Sequence, residues 1–155
     1  RMELNRNPDK TRIVDVFQER FDFLGFEIQM GKSRRTGNHY AHVQPSKKAI
    51  KTIKDRVTDL TERNRTRLPL EVVVTEVNRT VRGWVNYFHF RNCSKVLEHV
   101  RGHVEERLRT HLRKRHKVRN RREGYARFGN RVLYAQYGLY KVPTTAGWTR
   151  AHALR

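Results

Sequence analysis

The chain begins with two short runs in which large apolar side chains stand close together, at residues 13–17 and in FDFLGFEIQM at 21–30. β-Branched and aromatic residues at this density favour strands. A basic segment with two glycines, GKSRRTGNHY at 31–40, separates the second run from AHV at 41–43. The pattern predicts strands that form a β-hairpin with a basic tip, and Pro45 is expected to end it.

The apolar spacing becomes helical after Ser46, which is a good N-cap residue. Helices are predicted from Ser46, from Pro69 and from Ser94, each with apolar residues three or four positions apart. The three apolar faces are Ile50, Ile53, Val57 and Leu60; Val73, Val77, Val81, Trp84 and Phe88; and Leu97, Val100, Val104, Leu108 and Leu112. Consecutive amphipathic helices with short connections predict a small bundle.

The second helix contains Gly83 in the middle of TVRGWVNYFHF, residues 80–90. A glycine inside a helix costs about 1 kcal/mol relative to alanine. We therefore expect Gly83 to mark a bend or a close approach of another group. The side chains of Arg82, Asn86 and His89 project from other faces of the helix, where we expect contacts with RNA or with neighbouring helices.

The segment after the third helix is strongly basic, because residues 107–131 contain eleven Lys or Arg and a single acid. Such blocks are usually solvated or disordered alone and become ordered by a polyanion. The pattern does not determine the structure of the tail that follows. The predicted fold class is α+β and mainly α, with a strand and hairpin unit at 1–44, a three-helix bundle at 45–117 and a basic, partly irregular extension at 118–155.

The large positive charge of the chain indicates which class of partner it binds. Among 155 residues there are 35 Lys or Arg against 15 Asp or Glu, and the formal net charge is +20. Each phosphate that these cations neutralise releases counterions, which favours nucleic acid as the partner. A membrane is not expected, because no apolar run is long enough to span one and no signal sequence is apparent.

The inventory of reactive side chains predicts neither a metal site nor independent catalysis. Asp55 and Asp59 lie one helical turn apart but are flanked by cations, so surface ion pairs are expected instead. The i,i+4 pair His99 and His103 lacks a third ligand. His99, His103, His111 and His116 are expected to face solvent or RNA. Cys93 is expected to be a buried structural thiol.

Basic side chains interleaved with aromatic ones suggest contact with phosphates and with unpaired bases. Two alternatives stay open for Tyr125, Phe128 and Tyr134, which either stack on bases or close an apolar patch over the bundle. The cations predicted to bind RNA are Arg113, Lys114, Arg115, Lys117, Arg119, Arg121, Arg122, Arg127 and Arg131.

Three segments in series resemble the group II intron-encoded proteins, which are reverse transcriptases with an attached maturase domain. These segments are LNRNPDKTRIVDV at 4–16, FDFLGFEI at 21–28 and a long block that ends in VNRTVRGWVNYF at 77–88. The resemblance covers residues 4 to about 117. It implies that the chain holds the end of the polymerase palm followed by the thumb, also called domain X.

The resemblance also implies roles for individual residues. Lys10 matches a lysine placed near the leaving pyrophosphate. The primer grip, a hairpin that seats the primer end, corresponds to Phe23, Leu24, Gly25 and Phe26. The maturase signature corresponds to Asn78, Arg82, Gly83, Trp84, Asn86 and Tyr87.

The function expected from this resemblance is that of an RNA-binding maturase and thumb fragment. It would promote folding and splicing of intron RNA and, in the full-length parent, grip the RNA/DNA template-primer. The catalytic aspartates of the family are expected upstream of residue 1, so Mg²⁺ is expected for the parent polymerase and no cofactor for this chain, which is predicted to be inactive alone. A nuclease region with cysteine pairs is not expected, and the cytoplasm, bacterial by preference, is the expected compartment. The alternative is a stand-alone architectural or ribosome-type RNA-binding protein.

Overall fold

A computed structural model describes residues 21–147 of the chain. The predicted strand at 13–17 lies outside this part. Three strands form one antiparallel sheet in the order β1, β2, β3, and helices follow. The strands are β1 Phe21–Phe23, β2 Phe26–Lys32 and β3 His39–Pro45; the α-helices are α1 Lys47–Leu60, α2 Leu70–Phe88, α3 Ser94–Arg115, α4 Arg121–Arg127 and α5 Asn130–Ala135, and a 3₁₀ helix spans Arg63–Arg67. The predicted α+β, mainly α fold is confirmed.

The predicted hairpin with a basic tip is formed by β2 and β3, whose pairing runs from Phe26 opposite Pro45 to Lys32 opposite His39. Residues 33–38 form the tip. The β-rich run at 21–30 is not one continuous strand. It divides at Leu24 and Gly25 into β1 and β2, which form a second, tighter hairpin.

The predicted helix starts at Ser46 and Ser94 are confirmed. The Ser46 hydroxyl oxygen accepts a hydrogen bond from the Ala49 amide at 3.1 Å and so caps α1. The five predicted apolar residues of α3 are all buried. In α2, by contrast, the fully buried stripe continues from Val81 to Val85, while Trp84 is half-buried at the edge of the core.

The last part of the described chain belongs to the same core as the bundle. Val118, Phe128, Leu133, Leu139 and Val142 are buried in one cluster with the apolar faces of α1, α2 and α3. Burying each large apolar side chain contributes about 1.5–3 kcal/mol relative to leaving it exposed. The short helices α4 and α5, which the pattern did not predict, therefore pack on the bundle through apolar contacts.

Asn78 fastens the segment after α5 to α2. Its side-chain amide donates to the Gly138 carbonyl at 2.8 Å, and its carbonyl oxygen accepts from the Tyr140 amide at 2.7 Å. One asparagine thus satisfies two backbone groups of a segment that has no regular structure of its own. This is a structural role for a residue of the predicted maturase signature.

We expect Asn78→Ala to lower the free energy of unfolding by about 2 kcal/mol, since each net hydrogen bond contributes about 1 kcal/mol. Urea unfolding measures the change. Thr75→Ala is the matched control, because Thr75 is exposed on the same helix, and its expected effect is within about 0.5 kcal/mol. Equal effects of the two substitutions would contradict this role for Asn78.

His111 introduces a pH dependence into the core. Its ring is fully buried, with Nδ1 at 3.2 Å from the Thr61 carbonyl and Nε2 at 3.3 Å from the Arg115 guanidinium. Burial lowers the pKa of His111, and the positive charge of Arg115 adds to this effect. The expectation that His111 faces solvent or RNA was therefore wrong.

We expect the protein to lose stability as the pH falls from about 7.5 to about 5.5, because the unfolded chain, with a histidine pKa of about 6.5, then binds more protons than the folded one. His111→Asn, which keeps a donor near the Nδ1 position, should show a smaller loss between the same two pH values. Urea midpoints at both pH values measure it. An unchanged difference in the variant would assign the pH dependence to other groups.

Candidate nucleic-acid interface

The predicted primer-grip segment contains the two-residue turn between β1 and β2. Leu24 and Gly25 both have positive φ, 53° and 86°, as a type I′ turn requires. Glycine adopts this conformation readily, whereas for leucine it is strained. Leu24 is also 68% exposed. A strained and exposed apolar residue on a tight turn is typical of a site that contacts a partner.

The aromatic end of α2 holds this turn in place. The Tyr87 hydroxyl donates to the Leu24 carbonyl at 2.9 Å. Phe26 packs against the rings of Tyr87, Phe88 and Phe90, with centroid separations of 5.9, 5.1 and 5.8 Å. The structure thus brings together two segments that lie about sixty residues apart in the sequence, the predicted primer-grip segment and the predicted maturase signature.

The other signature residues connect α2 to different neighbours. The Trp84 indole donates to the Ala49 carbonyl of α1 at 3.3 Å. Arg82 lies over the ring of Tyr140, with its guanidinium carbon 5.0 Å from the ring centroid. Asn86 is exposed. Together with Asn78, these contacts make α2 the helix to which the hairpin, α1 and the C-terminal segment all attach.

Within the described residues no other group approaches Gly83 closely, so the expectation of a close approach was wrong for this part of the chain, and the expected bend stays a prediction. Helix α2 is continuous from Leu70 to Phe88. A β-carbon built at Gly83 meets no heavy atom within 4 Å. No contact in the described part of the chain therefore explains this glycine.

Two of the nine predicted RNA-binding cations support the fold. The Arg113 guanidinium donates to the Arg119 carbonyl at 2.8 Å, and its side chain packs on Gly124, where a β-carbon would stand 2.4 Å from Cδ. Arg115 donates to the Leu68 carbonyl at 2.7 Å. Both side chains are partly buried.

The other predicted cations are exposed. Arg121 already has two partners within the protein. Its guanidinium lies 3.4 Å from the Glu106 carboxylate and donates to the Tyr125 hydroxyl at 3.3 Å. Six cations make no ion pair with any residue between 21 and 147, and we call them the α3–α5 cationic surface. They are Lys114, Lys117, Arg119, Arg122, Arg127 and Arg131.

The aromatic residues that were expected either to stack on bases or to close an apolar patch differ in burial. Phe128 is buried in the core. The Tyr134 hydroxyl donates to Glu105, and burial together with this carboxylate raises the pKa of Tyr134. Both rings therefore close the apolar patch over the bundle. Tyr125 remains 42% exposed, beneath the guanidinium of Arg109 at 4.3 Å from its ring centroid.

The sequence did not identify the charged residues of α3 that face inward. Arg109 is almost completely buried, and it donates to the Phe128 carbonyl and to Glu106, both at 2.8 Å, and to the Asn130 side chain. The only sequence signal for an inward-facing arginine was the pair of adjacent acids, Glu105 and Glu106, in an otherwise basic helix. These contacts fix α4 and α5, and with them the α3–α5 cationic surface, on α3.

The candidate metal ligands have other partners. Asp55 pairs with Lys51 at 2.5 Å, and His99 contacts the Lys54 ammonium at 3.2 Å. The His103 ring lies 3.1 Å from the Lys54 carbonyl, and burial lowers its pKa. Cys93 is buried, as expected, which raises the pKa of its thiol. Across residues 21–147, no three His, Cys, Asp or Glu side chains are placed to hold a metal ion.

Part of the predicted site lies beyond the described structure. Lys10 falls outside residues 21–147, and only the backbone of Phe23 is described. Helices able to cross a bilayer are absent from the described part of the chain.

Comparison with known families agrees with the resemblance noted in the sequence. A family model described as the group II intron, maturase-specific domain matches residues 50–129, just over half of the chain. The match begins within α1 and ends just after α4. No curated protein and no solved structure matches the chain.

The contact between the turn and α2 can be tested with two glycines. A β-carbon at Gly25 would stand 3.1 Å from the Phe88 ring, whereas one at Gly37, which also has positive φ, meets nothing within 4 Å. We expect Gly37→Ala to cost about 1–2 kcal/mol through backbone strain alone. Gly25→Ala should cost more, because it also displaces Phe88. Urea unfolding compares the two, and a smaller cost for Gly25→Ala would show that the contact does not hold the turn.

Proposed function

Because this chain belongs to the group II intron maturase-specific domain family, we propose that it acts in splicing by binding intron RNA through the α3–α5 cationic surface. The observation that carries the proposal is the division among the cations between 113 and 131. Arg113 and Arg115 donate to backbone carbonyls, while six others project from the same region without an ion pair in residues 21–147. Such a surface is suited to phosphates.

The mechanism is electrostatic and conformational. Phosphates that meet the α3–α5 cationic surface release condensed counterions, which supplies most of the binding free energy and makes it depend steeply on salt. Arg122, Arg127 and Arg131 lie on the short helices α4 and α5, which Arg109 and the apolar core fix to α3. The other three cations lie at the end of α3 and in its connection to α4. A fixed array of charges binds one arrangement of RNA strands better than others, and so favours the splicing-competent fold of the intron.

In a full-length reverse transcriptase parent, the Leu24–Gly25 turn would seat the primer end beside the thumb. The contacts from Tyr87 and Phe88 support this proposal, since they hold the turn rigidly against α2. Lys10 and the Mg²⁺ ions of polymerisation would belong to the palm. The part that we propose for the described residues is to position the nucleic acid.

The RNA-binding proposal is tested by replacing all six residues of the α3–α5 cationic surface with Gln. Filter binding to a transcribed group II intron, measured against salt concentration, gives the slope of log K on log salt. Each lost phosphate contact reduces that slope by about 0.7–0.9. The six-residue variant should therefore lose up to about 5 from the slope and bind at least tenfold more weakly at moderate salt.

The control carries the same change in charge at a different place. Lys47, Lys48, Arg56, Arg63, Arg67 and Lys95 are exposed on or beside α1 and at the start of α3. Their replacement by Gln should leave most of the slope intact. Equal losses in the two variants would mean that net charge alone governs binding and would overturn the assignment to the α3–α5 cationic surface.

A further inference from the structure

We propose that the tip of the β2–β3 hairpin and Arg91 form a separate site for an unpaired nucleic-acid strand, which we call the hairpin cup. It goes beyond the proposed function, because the hairpin precedes the residues matched by the maturase family and contributes nothing to the α3–α5 cationic surface. The side chains that the proposal uses are Lys32, Arg34, Arg35, His39, Tyr40 and Arg91.

The hairpin cup is a recess whose charge has a single sign. It is an open recess of about 670 Å³, and among the described residues that line it there is no Asp or Glu. This volume is within the range of roughly 300–1,000 Å³ that is typical of ligand sites. The like charges of Lys32, Arg34 and Arg35 repel one another, and an anion relieves that repulsion. The lining is thus complementary to phosphates.

Tyr40 gives the hairpin cup an aromatic surface. It pairs with Gly31 across the two strands, and its ring lies over the glycine, where a β-carbon would stand 2.9 Å from Cζ. The absence of a side chain at Gly31 therefore sets the position of the ring. Tyr40 is 41% exposed, so one part of the ring remains accessible to a base.

Arg91 is held beside the hairpin by the connection between α2 and α3. Its neighbour Asn92 exchanges two hydrogen bonds with Val43 of β3, at 2.9 and 3.0 Å. The Arg91 carbonyl accepts from the Gly147 amide at 2.9 Å, and its guanidinium lies 3.5 Å from the Ala41 carbonyl. The charge from the helical unit is thereby fixed against the strand that carries Tyr40.

Cations beside an exposed aromatic ring identify the ligand as a single strand rather than a duplex. Unpaired bases stack on aromatic side chains while the backbone follows a cationic groove, and this mode tolerates any sequence. The bases of a duplex are stacked on each other and offer no face to Tyr40. The hairpin cup lies at the end of β2 opposite the Leu24–Gly25 turn, about 20 Å away along the strand.

The test measures fluorescence anisotropy with a labelled oligo(U) RNA of about 12 nucleotides, within the usual size of single-strand sites. A blunt RNA duplex of similar length is the second probe. The variant Lys32→Gln, Arg34→Gln, Arg35→Gln in the 155-residue chain should bind oligo(U) with a salt slope shallower by about 2, at about 0.7 for each phosphate contact. The control variant Arg56→Gln, Arg63→Gln, Arg67→Gln, with the same change in charge, should keep the slope.

Substitutions of Tyr40 separate the contribution of base stacking to binding from that of charge. Tyr40→Leu should weaken binding of oligo(U) about tenfold and leave the duplex unaffected, whereas Tyr40→Phe, which keeps the ring, should bind as the unchanged protein does. The proposal is overturned if the unchanged protein does not bind oligo(U), if both triple variants lose the same slope, or if Tyr40→Leu binds normally. None of these results would alter the binding of intron RNA by the α3–α5 cationic surface, which is tested with other variants and another probe.

Discussion

The excess of positive charge is the constraint to which the rest of the structure responds. With a formal net charge of +20, most cations have no carboxylate to pair with. The fold instead uses the partial negative charge of backbone carbonyls and of aromatic faces. Arginines that donate to carbonyls include Arg65, Arg91, Arg109, Arg113 and Arg115. Cations over rings include Arg82, Arg91, Arg109, Arg121, Arg127 and Lys141. Three of these arginines, Arg65, Arg109 and Arg121, also pair with a glutamate.

This use of neutral partners has two effects. Neutral acceptors lower the cost of placing a guanidinium near the core, but they do not cancel its charge, so the potential around the molecule stays positive. Two adjacent acids of α3, Glu105 and Glu106, join segments of the fold. The Tyr134 hydroxyl of α5 donates to Glu105, and the Tyr125 hydroxyl of α4 donates to Glu106. These two hydrogen bonds join the C-terminal helices to α3. Glu106 also accepts from Arg109 of the same helix. These two acids thus reinforce the apolar contacts between α3 and the C-terminal helices, while the six residues of the α3–α5 cationic surface stay exposed.

The sequence predicted the three long helices because their apolar residues repeat over three turns or more, and the N-cap at Ser46 is a local signal. Helices α4 and α5, with seven and six residues, are too short for such a repeat to be visible. The apolar pattern did not reveal the turn at Leu24, because aromatic residues flank it and leucine seldom adopts positive φ. Only the resemblance implied a hairpin there. Spacing also places cations on a helix without showing whether a carbonyl or solvent lies opposite, so the roles of Arg113 and Arg115 became visible only in the structure. The deeply buried Arg109 and His111 were missed for the same reason.

The dependence of the core on residues 118–142 has a consequence for synthesis on the ribosome. Helices α1 to α3 use local hydrogen bonds and form as they emerge, but Leu133, Leu139 and Val142 arrive last to cover their shared apolar face. The hydrogen bonds of Asn78 join positions about sixty residues apart. They therefore form only after Gly138 and Tyr140 have been synthesised. A nascent chain that stops before residue 142 exposes apolar surface and free cations together, the combination most prone to adhere to polyanions and to other unfinished chains.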